Sequence, residues 1–144
     1  MARATLIVDP LTVDLDPEPI PADSIISGSP VARAKTVVTT HDWTSSIVVW
    51  DCTPGTFKWH YTKDESVYVL AGEAIMTTET GEERRMAAGD LAYYYRGFSC
   101  TWRVTQHFRK IAVLREPLWL PFGIALKVWS RLLRMAGLTA KSGL

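Results

Sequence analysis

The chain has two cysteines in 144 residues, Cys52 and Cys100, too few for a disulfide framework. Its start, MARATLIVDP, lacks the basic-then-apolar layout of a signal peptide, and a reducing cytoplasm is the expected location. Long apolar runs are missing as well. The stretch from Pro117 to Leu126 reaches about half of the ~20 residues that a spanning helix needs, which excludes a transmembrane helix there. Neither sign of charge dominates: 16 Lys and Arg stand against 15 Asp and Glu. No basic stripe interleaved with aromatics occurs, so nucleic-acid binding is not expected. Histidine is scarce, and the three present, His41, His60 and His107, are scattered.

What the chain does have is apolar and aromatic material for one core: 47% hydrophobic residues, including six Trp, five Tyr and four Phe. That amount suits a single domain of this length. Three segments differ in character. Residues 1–30 carry Pro10, Pro17, Pro19, Pro21 and Pro30, which exclude a helix and favour extended backbone. This reads as an N-terminal arm, with Leu11, Val13, Leu15, Ile20, Ile25 and Ile26 available to dock it.

Residues 31–116 switch to short β-branched and aromatic runs: KTVVTT, SSIVVWDC, GTFKWHYT, SVYVLAG, EAIMTTE, DLAYYYR, CTWRVT and KIAVL. Turn formers separate them, among them Pro54-Gly55, Glu79-Thr80-Gly81-Glu82 and Ala88-Gly89-Asp90. The run Glu82-Glu83-Arg84-Arg85 reads as a solvated turn, and Arg109-Lys110 as the end of a loop opening the last strand. Many short antiparallel strands with no helix between them predict an all-β sandwich, jelly roll or barrel.

Residues 117–144 form a different tail. The segment WLPFGIALKVWSRLLRMAG predicts one helix, with Pro121 in its first turn and Gly137 at its end. Lys127, Arg131 and Arg134 recur on one face, while Leu120, Ile124, Val128, Trp129, Leu132, Leu133 and Met135 leave more apolar surface than a solvated tail should show. A partner subunit or a membrane surface contacted through residues 118–136 would cover it.

The chemistry-bearing stretch lies downstream of Gly55. Trp59-x-Tyr61, Glu65 and Gly72 keep the H-x-H-x3-E-x6-G spacing of the first cupin motif, in which the two His and the Glu bind a metal in most members. Gly89, Tyr95, Gly97 and Cys100 keep the G-x5-P-x-G-x2-H spacing of the second, with Tyr95 for the Pro and Cys100 for the last His. Together with Trp50, Asp64, Asp90, Trp102, Arg109 and Lys110, these residues resemble the small cupins grouped with ureidoglycine aminohydrolase and the ethanolamine-utilisation cupin. The resemblance spans about residues 20–115. It implies a cupin jelly-roll β-barrel with an N-terminal arm and a C-terminal helix, a homodimer, and a site that has lost the usual metal ligands.

Alternation along a strand turns Trp59 and Tyr61 to one face and Lys58 and His60 to the other, so His60 points outward if Trp59 points in. An interior lined by Trp59, Tyr61, Cys100 and Trp102 would suit a small organic ligand, since aromatic faces take apolar rings or amines. Equally, a narrow barrel can be filled by its own side chains. Glu65 would be partly desolvated there and could serve as a general acid or base, or it could satisfy a buried hydrogen-bond network. A transition metal on Glu65 and Cys100 is the remaining alternative, although two ligands fall short of the three usual at catalytic zinc.

Overall fold

The computed structural model describes residues 5–138. Among them, the β-branched and aromatic runs form nine strands: β1 (Asp16–Pro17), β2 (Ile25–Gly28), β3 (Ala32–Thr39), β4 (Ser45–Cys52), β5 (Gly55–His60), β6 (Asp64–Thr78), β7 (Glu83–Ala87), β8 (Leu91–Tyr94) and β9 (Ser99–Arg115). A helix, α1 (Leu120–Met135), follows. All pairings are antiparallel, and the strands fall into two runs that share β6 and β9. One run is β1-β3-β4-β9-β6-β8 and the other β2-β5-β9-β6-β7. The two long strands pass from one sheet into the other, and the sheet thereby closes on itself as a jelly-roll barrel.

Four runs that read as separate strands are thus two. SVYVLAG and EAIMTTE join in β6, and CTWRVT and KIAVL join in β9. The reason lies at Gly72, where the β6–β9 register shifts three times between Val69 and Ala74. Its backbone has φ +79°, and a Cβ there would collide with the carbonyl of His107. Glycine therefore bends the strand against its partner instead of ending it. The same fusion puts Arg109, Lys110 and His107 in mid-strand, where a loop was expected. Glu83, Arg84 and Arg85 likewise belong to β7, paired with β6, because Met86 gives that short edge strand one buried anchor.

The arm docks. Asp16 and Pro17 pair with Ala34 and Arg33, Ile25 to Gly28 pair with β5, and Ile20 joins the core cluster. Upstream, Arg109 clamps the chain: its Nε donates to the Pro10 carbonyl at 2.9 Å and its Nη2 to the Val13 carbonyl at 2.8 Å. Arg109 also reaches Asp51 on the same outer face, and Asp51 is only 1% exposed. The Arg33 guanidinium grips Asp51 with two parallel bonds of 3.0 and 2.6 Å, and His107 Nε2 lies 3.2 Å from it. An Asp in the apolar run VVWDC is thus held by three side chains while the arm crosses above.

Inside, Phe57, Tyr61, Trp102 and Phe108 are almost fully buried between the two sheets. A fully buried Phe contributes about 2–3 kcal/mol, so these rings carry much of the barrel's stability. Helix α1 is the exception. It begins with Pro121 in its first turn, Gly137 follows its end at φ +69°, and none of its residues is buried.

Candidate functional site

Strand alternation places the candidate residues as expected. Phe57, Trp59 and Tyr61 of the β5 region face inward, and Lys58 and His60 face outward, with His60 Nδ1 2.8 Å from Ser99 Oγ. In β9, Cys100 and Trp102 face inward opposite Trp59 and Phe57. Glu65 starts the inward row of β6 and is 6% exposed. The structure therefore brings Tyr61, Glu65, Cys100 and Trp102 into one interior, with Trp59 half-buried at its edge.

Lys110, two positions from Phe108 and Ala112 on the same strand, shares their inward face. Its Nζ donates to Glu65 Oε1 at 2.6 Å, with both side chains under 10% exposed. The ammonium also lies 5.0 Å from the Trp50 ring and 5.2 Å from the Trp102 ring, so its charge meets a carboxylate and two aromatic faces. Glu65 is accordingly not an isolated carboxylate in an aromatic pocket. It is one half of a buried ion pair, and among the described residues no hydroxyl, Tyr61 included, is its partner.

The rings form a continuous layer around this pair. Trp50 meets Trp59 edge-on at 6.3 Å and Trp102 at 6.5 Å. Trp102 Nε1 donates to Tyr61 Oη at 3.2 Å, and Tyr61 stacks on Tyr94 with centroids 4.4 Å apart and planes 7° from parallel. Burial pushes the Tyr61 and Tyr94 hydroxyls well above the usual phenol range, with neighbouring acidic groups adding to it. Burial also pushes the Cys100 thiol up to about 12 and Cys52 likewise to about 12. Both stay protonated at neutral pH, which disfavours Cys100 as a nucleophile.

The donor set does not suit a metal. Among the described residues no three His, Cys, Asp or Glu side chains converge, and Glu65, the one carboxylate at a motif ligand position, is bound to an ammonium. Open space lies elsewhere. A cleft of about 610 Å³ opens between the edge strands β7 and β8, floored by Met76, Met86, Tyr94 and Phe98, with Arg84 and Arg85 at its rim. Met76 and Arg84 are register partners, so the guanidinium stem leans over the cleft from the inward face. Tyr94, which donates to Met86 Sδ at 3.0 Å, is both the wall of the cleft and the ring stacked on Tyr61. Trp59 and Cys100 border a separate groove of about 500 Å³ beside Lys58, His60 and Thr101.

A double-sheeted jelly roll whose two inward motif rows meet on β5, β6 and β9 defines the chain as a cupin. More narrowly, it belongs to the family of EutQ-like cupin domains, whose profile matches residues 39–112. It is similar in structure to a protein of unknown function of the DUF861 family from Pseudomonas syringae pv. tomato, with 26% identity and a TM-score of 0.67. That match covers 74% of this chain and 46% of the other, so the chain spans less than half of that relative's length. The EutQ protein of Clostridium difficile shares the fold at 20% identity and a TM-score of 0.56, covering 71% of this chain and 83% of that one. A predicted oxalate decarboxylase from Thermotoga maritima does so at 18% identity and a TM-score of 0.58, covering 78% and 100%. No curated protein matches the chain.

Lys110 is the residue that sequence reasoning missed as part of the site. Its signal was available in the alternation Phe108, Lys110, Ala112, a lysine in phase with apolar inward positions. Taking the preceding residues as a loop broke that phase.

Proposed function

We propose that this EutQ-like cupin binds a small organic acid with an apolar or aromatic body and does so without a transition metal. The observation that carries ligand binding is the open cleft between β7 and β8, and the Lys110–Glu65 pair, which does not line it, carries the absence of a metal. At the carboxylate where most cupins coordinate a metal, a fixed ammonium supplies the positive charge. The ligand's place in this reading is the cleft between β7 and β8, where Met76, Met86, Tyr94 and Phe98 offer a soft apolar floor and Arg84 a cation at the rim. Arg84 is paired with the exposed Glu82, and a ligand carboxylate would compete for it.

Tyr61 and Trp102 support this floor from behind, through the Tyr94–Tyr61 stack and the Trp102–Tyr61 hydrogen bond, while Trp59 and Cys100 border the separate groove. Glu65 holds Lys110 in place, and proton transfer by Glu65 would first require that pair to open. A homodimer in the cytoplasm is part of the same reading, motivated by the open edges of β1 and β2.

The test is a thermal-shift screen with benzoate, phenylacetate and isovalerate, repeated on Phe98→Ala and Arg84→Ala. At least one acid should raise the melting temperature of the wild type by a few degrees, and both variants should lose most of that shift. If the acids stabilise the variants as much as the wild type, or stabilise neither, the cleft is not the binding site.

A further inference from the structure

Helix α1 projects from the barrel with its apolar face open. Phe122, Leu126, Val128, Trp129 and Leu132 stand 52% to 62% exposed, values that a helix packed on its own domain does not show. Turning 100° per residue, the apolar side chains from Ile124 round to Leu126 cover an arc of roughly 200°. Ser130, Arg134, Lys127 and Arg131 share the remaining arc of roughly 160° with Gly123 and Leu120. Between Pro117 and Leu138 there is no Asp or Glu at all.

The helix root is fixed to the barrel. Glu116 N donates to the Thr44 carbonyl at 2.8 Å, and Lys63 pairs with the Glu116 carboxylate at 2.8 Å. Beside Thr44, Trp43 is 82% exposed on a left-handed backbone with φ 59°. That conformation costs a bulky residue about 1–2 kcal/mol, yet it presents an indole to solvent at the end of the barrel that bears the helix.

We infer that α1 is an interfacial anchor that lays its apolar arc into the headgroup region of a bilayer carrying anionic phospholipid. Its sixteen residues make a rod of about 24 Å, too short to span but suited to lie flat, and no described helix is long and apolar enough to cross a membrane. Lys127, Arg131 and Arg134 sit on the polar edge, where their stems can reach lipid phosphates. A second copy of the helix fits the surface less well. Pairing two helices buries a stripe of about 100°, which would leave half of this arc in water. With no acidic side chain on the helix, two copies would also have no opposite charges to match.

Sedimentation of the full chain with vesicles tests this, using phosphatidylcholine alone and phosphatidylcholine with roughly a third phosphatidylglycerol. The wild type should bind the anionic vesicles on the order of a hundredfold more tightly than the neutral ones, as three basic residues at a charged surface imply. Lys127→Glu, Arg131→Glu and Arg134→Glu together should abolish that preference. Leu126→Ser with Trp129→Ser should remove binding to both kinds of vesicle. Every altered side chain is exposed, and an unchanged melting temperature will confirm that the barrel is intact. A wild type that stays in the supernatant with both vesicles overturns the inference. So does an oligomer that Leu126→Ser with Trp129→Ser dissolves while neither vesicle retains the chain.

Discussion

Arg109 and Lys110 are neighbours on β9 and serve opposite faces of one sheet. Lys110 points into the barrel and meets a single carboxylate, with two indole faces closing off solvent. Arg109 points outward and joins a shared arrangement in which Asp51 accepts from Arg33, Arg109 and His107, and Arg33 and His107 are about half exposed. Among the described residues the inner pair has no second ionic partner, and with side chains 6% and 8% exposed it has little access to solvent. The outer cluster has redundancy, and it also holds the arm. The same kind of ion pair thus has different consequences according to how many groups can compensate for the loss of one.

The largest effect should come from breaking the inner pair. Lys110→Met should cost about 3–5 kcal/mol in urea-melt stability, because Glu65 is left as a buried charge with no partner. Lys110→Met combined with Glu65→Leu should recover most of that loss, since both charges are then gone. If the double variant is as unstable as the single one, the pair is not what the interior needs.

On the outer face, Asp51→Asn should cost about 2 kcal/mol, because its three donors keep access to solvent or to the Pro10 and Val13 carbonyls. Limited proteolysis should then cut residues 5–15 faster, as Arg109 loses one of its three anchors. A loss as large as that of Lys110→Met would erase the contrast between the faces.

The smallest effect tests burial of the thiols. Cys52 and Cys100 are pushed by burial from the ordinary 9.0 up to about 12, so the folded state holds their protons more tightly than the unfolded chain does. Their contribution is complete below pH 9 and declines as pH rises toward 12, because unfolding then releases protons that folding retains. Stability should fall by about 1 kcal/mol between pH 7 and pH 9, and replacing both cysteines with Ala should flatten that slope. An unchanged slope in the double Ala variant would mean that other groups set the alkaline limit.

The barrel was legible because strand alternation and glycine spacing are local properties. Trp59, Tyr61, Glu65 and Gly72 lie within fourteen residues, and their inward or outward sense follows from parity alone. The helix was legible for the same reason, through its period, Pro121 and Gly137. What escaped was long-range. Glu65 and Lys110 are 45 residues apart, and in the β6–β9 register they lie opposite Leu114 and Val69, so their side chains meet only by reaching diagonally across the two strands. The bend at Gly72 depends on the close approach of His107, which no local pattern announces.

The amino-acid sequence by itself determined that strands would form, which side chains would face inward on each, and that a basic amphipathic helix would follow. Those outcomes depend on periodicity and backbone preference within a few residues. Tertiary structure alone decided that the interior holds a paired ammonium, that Asp51 and Arg109 secure the arm, that a cleft opens between β7 and β8, and that nothing described in the barrel covers α1. Each of those depends on which distant strands pair, and pairing is set by the free energy of the whole sheet closing on itself.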